Sequence, residues 1–88
     1  MRILDSARKH GIQDQDIEYV YEFATESIVL QTNPEKVMLF GFDTIGRGLE
    51  VGYVVNDHDE DIVIHAMKIR SVYKRFLYGQ KGAGNETE

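Results

Sequence analysis

The stretch "VIHAMKIRSVYKR" (63–75) sets one histidine, two lysines and two arginines at the end of an apolar run. Histidine is the side chain that ordinarily titrates near neutrality, so His65 has the chemistry to give or take a proton. Arginine forks onto phosphate oxygens in a bidentate manner, whereas lysine acts as a point charge. Lys68 and Arg70 therefore add anion-stabilising groups beside His65. Arg47, in "TIGRG" (44–48), would bring a second guanidinium to the same surface if the intervening sheet curls. These four residues are the catalytic candidates. Lys9, His10, Lys74 and Arg75 are candidate contacts for RNA or a protein partner. Each also has a plainer reading: a packed strand histidine, a solvated helix face, a solubilising turn arginine, a helix-end histidine.

Composition narrows the chemistry further. The 88 residues amount to one domain, expected over 1–78, with 79–88 as a tail lacking apolar anchors. There is no cysteine, which excludes disulfides, zinc knuckles and thiol nucleophiles. "NDHDED" (56–61) alternates carboxylates as cation loops do, but it lacks the glycine and distal glutamate of a calcium hand. A solvated turn is the better reading, and no metal or cofactor is called for. No apolar run resembles a signal segment or approaches the roughly 20 residues of a membrane span. A cytoplasmic setting and no membrane partner follow as expectations. The formal charge of −5 argues against a general nucleic-acid binder. The signs are segregated, however, so a basic face on an acidic protein is compatible with it.

Periodicity supplies the elements that must position these groups. Ile3, Leu4 and Ala7 have helical spacing, predicting a first helix over about 2–9 that stops at Gly11. Asp14 is the expected N-cap of a second helix, whose buried stripe is Ile17, Val20, Tyr21 and Ala24. The period then becomes two, giving strands at 27–32, 37–43, 49–55 and 61–66, joined by short turns that favour antiparallel pairing. In the third of these, Leu49, Val51, Tyr53 and Val55 share one face, and Glu50, Gly52 and Val54 the other. Strict alternation turns His65 away from Ile62 and Ile64 and onto the side of Val63. Ile69, Val72, Tyr73, Phe76 and Leu77 form the stripe of a last helix. Tyr21, Tyr53 and Tyr73 fall on apolar stripes and are read as core. The expected fold is α+β: two N-terminal helices, a four-stranded antiparallel meander and a C-terminal helix.

Three segments in order, "ARKHGI" (7–12), "GRGLEVGYVV" (46–55) and "IVIHAMKIR" (62–70) followed by "YKRF" (73–76), resemble the BrnT-like toxins. These are a branch of the RelE/ParE superfamily of bacterial toxin–antitoxin pairs, and the likeness runs over about residues 3–77. It implies a RelE-like fold and a small ribonuclease that cleaves messenger RNA until a cognate antitoxin blocks it. Such cleavage needs a base for the 2′-hydroxyl, a cation for the phosphorane and an acid for the leaving oxygen. His65, Lys68, Arg70 and Arg47 are the residues the resemblance would recruit.

Three observations favour a second reading, a catalytically inactive module of the same fold that binds a protein. The chain is acidic, Met67 stands where many relatives have an arginine, and the sequence offers no convincing pair of acid and base. A third reading is self-association into a homo-oligomer through an exposed sheet edge.

Overall fold

The structure is a computed structural model, and it describes residues 1–79. Beyond Gly79, the expected tail lies outside the described residues. Five strands form one mixed sheet: β1 (Arg2–Ile3), β2 (Glu26–Thr32), β3 (Glu35–Phe42), β4 (Gly48–Val55) and β5 (Asp61–Lys68). They lie in the order β1-β5-β4-β3-β2, with β1 parallel to β5 and every other pair antiparallel. Helix α1 (Asp14–Phe23) falls between β1 and β2, and a short α2 (Arg75–Tyr78) follows β5. Among the described residues, no helix is long and apolar enough to cross a membrane.

The expected fold of two N-terminal helices over a four-stranded antiparallel meander is thus corrected. The segment read as a first helix is β1 followed by a single 3-10 turn, Asp5–Arg8. Eight residues are too few to stabilise a helix by themselves. Arg2 and Ile3 instead pair with Ile62 and Val63, and the Leu4 amide donates to the Val63 carbonyl at 3.0 Å. Gly11 does end the segment, at φ +79°, where glycine carries no steric penalty.

The last helix is corrected too. It is a 3-10 turn, Ser71–Tyr73, running into the single turn of α2. Val72, expected in its apolar stripe, is 61% exposed, while Ile69, Tyr73, Phe76 and Leu77 pack inward. Asp14 also differs from expectation. It is the first residue of α1 rather than its cap, because its carboxylate is engaged by the Arg8 guanidinium at 2.9 Å through both oxygens. A charge-assisted fork is stronger than a single cap bond to an amide.

The sheet is covered on both sides. Ile17 and Val20 of α1 pack with Ala7 against Leu49, Val51, Val63 and Ala66 on one face. Gly41 permits that approach: a methyl there would meet the Ala24 Cα at 3.1 Å and Val20 Cγ1 at 3.3 Å. On the other face, Met38 and Phe40 receive the C-terminal segment, with Phe40 stacked on Phe76 at 4.8 Å. This second layer makes the Glu50 side of β4 interior rather than solvated.

Two bulges break the alternation, one at Leu30 and one at Ile64. Gly52 pairs with His65 and Tyr53 with Val63, so Ile64 is the extra residue. One added residue flips everything beyond it to the opposite face. His65 therefore shares the face of Glu50, Gly52 and Ile62, and the expected placement beside Val63 is overturned.

Candidate functional site

The bulge delivers His65 to a carboxylate that the sequence reading did not single out. Glu50 is fully buried under the C-terminal segment. His65 Nε2 lies 2.8 Å from its Oε2. Arg70, two residues past β5, donates its backbone amide to Oε1 at 3.0 Å, with Nε at 2.9 Å and Nη2 at 2.5 Å from Oε2. Ile69 is anchored in the second core and its amide donates to the Gly48 carbonyl at 3.0 Å, which fixes the chain direction that aims Arg70 back at β4.

The electrostatics follow from these contacts. Burial pushes the Glu50 carboxyl up, but hydrogen bonds from Arg70 and His65 outweigh it and hold the group below its ordinary range. The same side-chain bond to Glu50 raises Arg70. Arg70 also lies 5.4 Å from the Tyr73 ring centre, where a guanidinium is weakly attracted to the π face. The His10 ring sits edge-on to His65, with centroids 6.0 Å apart. A second titratable group thus stands beside the first.

His65 and Arg70 border a depression of about 270 Å³, whose wall is completed by Leu30, Lys36, Met38, Gly52 and Ile64. Lys36 and Arg70 contribute two cations, the second paired with Glu50, and among the described residues no carboxylate lines the wall. Two other depressions are lined in part by Asp14 and Glu18, and by Glu22 and Glu26. On a chain of net charge −5, the His65 depression is the one of these three suited to an anion.

The other catalytic candidates stand elsewhere. Arg47 donates Nε to Asp43 Oδ2 at 2.6 Å and reaches Asp16 of α1 at 3.5 Å. Asp43 also accepts the Ile45 and Arg47 amides, closing the turn before β4. Burial would raise Asp43, and these hydrogen bonds bring it below its ordinary value. Lys68 pairs with Leu49, so it lies on the α1 face, opposite Glu50. His65 and Arg70 are brought together; Arg47 and Lys68 are not.

Among the binding candidates, Lys9 is exposed after the first 3-10 turn and His10 lies beside His65. Lys74 and Arg75 are exposed at the start of α2, with Arg75 4.5 Å from the Phe76 ring centre and donating to the Val72 carbonyl. The 56–60 turn is closed by Asn56, whose Oδ1 accepts the His58 and Glu60 amides. Among the described residues, no three His, Cys, Asp or Glu side chains are gathered as metal ligands.

One signal for Glu50 was present: a lone charge inside "LEVGYVV", among residues of high strand propensity. Compared with protein-family models, curated proteins and solved structures, the chain matches none of them.

Proposed function

We propose that this chain is the toxin of a bacterial toxin–antitoxin pair, a cytoplasmic, metal-independent endoribonuclease that its cognate antitoxin restrains. The supporting observation is the grouping of His65 and Arg70 on one buried, ionised carboxylate at the rim of a cationic depression. In the proposed reaction the RNA 2′-oxygen attacks phosphorus and gives its proton to His65. The phosphorus–O5′ bond breaks, and His10 supplies the proton that the 5′-oxygen takes. The products are a 2′,3′-cyclic phosphate and a 5′-hydroxyl. Arg70 balances the charge that builds on the phosphorane. Each proton transfer of this kind is worth about 10²–10⁴ in rate.

A second reading has its own support. His65 and Arg70 are held by Glu50, and Arg47 by Asp43 and Asp16, so each of these basic side chains already has a carboxylate partner. That pattern suits a scaffold kept for protein binding. Induced expression in a bacterial host separates the two. Growth arrest with loss of mRNA, retained by Lys68→Ala and abolished by His65→Ala, is expected of the ribonuclease. Equal growth of cells carrying the wild type and His65→Ala would support the binding module instead.

A further inference from the structure

A carboxylate shared by an imidazole and a guanidinium decides which of their atoms remain for a ligand. Glu50 is buried and held ionised, so it offers only lone pairs. The His65 nitrogen 2.8 Å from it must then carry the hydrogen. In the neutral ring this makes Nε2 the donor and leaves the lone pair on Nδ1. The same carboxylate takes Nε and Nη2 of Arg70, and among the described residues Nη1 has no hydrogen-bond partner. Across the depression, Lys36 of β3 makes no ion pair among the described residues. Gly52 lines the same depression, where a methyl would meet the His65 Cβ at 3.4 Å and Met38 Sδ at 3.5 Å.

We propose that this depression is a phosphate site in which Lys36 Nζ and Arg70 Nη1 hold phosphate oxygens, His65 Nδ1 accepts a hydroxyl hydrogen, and Glu50 is the positioning residue. The inference rests on the ribonuclease reading and deepens it by naming the contacting atoms and adding Lys36 and Glu50. Lys36→Ala probes the site without touching the buried pair, because that lysine is only half-buried on β3.

The test titrates inorganic phosphate into the intact chain while ¹⁵N NMR follows the His65 ring. The neutral ring is expected as a single Nε2–H tautomer, which Glu50→Gln converts to a mixture. Phosphate binding is expected to saturate and to weaken about tenfold in Lys36→Ala, the scale of one charge-assisted hydrogen bond. An Nδ1–H tautomer in the wild type, or unchanged phosphate affinity in Lys36→Ala, overturns the proposal. Phosphate binding as expected, with no mRNA loss on expression, would remove the toxin reading and leave the site standing. Loss of mRNA with an Nδ1–H ring would do the reverse.

Discussion

At Glu50 the energetics depend on what is left behind when a partner is removed. Desolvating a carboxylate is expensive, and here three donors from Arg70 and one from His65 offset it. Arg70→Met would leave a buried charge with two partners, His65 and the residue-70 amide. That change should cost about 3–5 kcal/mol in urea unfolding. Adding Glu50→Leu removes the stranded charge, so the double variant should be more stable than Arg70→Met alone. Simple additivity would mean that the pair is not coupled. The acid limb follows the same logic. Glu50 and Asp43 both sit below their ordinary values in the fold, so each binds protons more tightly when unfolded. Their stabilisation is therefore present above the ordinary carboxylate range, about 4, and is lost as pH falls through the lower folded-state values. The urea midpoint should hold from neutrality to about pH 5 and then drop. Arg70→Met should flatten part of that drop.

At the scale of elements, the close contact between α1 and β3 is the most sensitive to volume. A methyl at residue 41 would press on the Ala24 backbone, which has no flexible end to move aside. Gly41→Ala should therefore destabilise by about 1–3 kcal/mol, measured as a lowered denaturation midpoint with an unchanged slope. The same elements explain what was legible beforehand. Strands β2 to β5 announced themselves through period-two runs and turn residues, because each pairs with a neighbour along most of its length. Ile17 and Val20 likewise read as a buried helical face. β1 was illegible because a two-residue strand has no period, and its identity comes from Ile62 and Val63, sixty residues away. The bulge at Ile64 carried no glycine or proline to mark it, so parity placed His65 on the wrong face. Glu50 is not legible as a site residue, because alternation places it opposite the Leu49, Val51 and Tyr53 face and nothing local says what covers that side. Ile69, Tyr73 and Phe76 cover that side by packing on Phe40, the register partner of Glu50.

For the whole molecule, the balance lies between one small cationic depression and a chain of net charge −5. A polyanion approaching from a distance meets the net field first, and that field repels it. Close in, the proposed site offers Lys36 and Arg70 to phosphates. Counterion release from single-stranded nucleic acid gives a slope of about −0.7 per neutralised phosphate, so two contacts predict about −1.4 in log affinity against log salt. That is shallow compared with general nucleic-acid binders, which engage many phosphates. Filter binding or anisotropy with a short RNA, over a range of salt concentrations, would measure it directly. Lys36→Ala should reduce the slope by about 0.7, and Lys68→Ala, on the opposite face, should leave it unchanged. A flat response in the wild type would mean that no phosphate is neutralised. A slope several times steeper would place the RNA on some other surface, with Lys9, Lys74 and Arg75 the residues to substitute next.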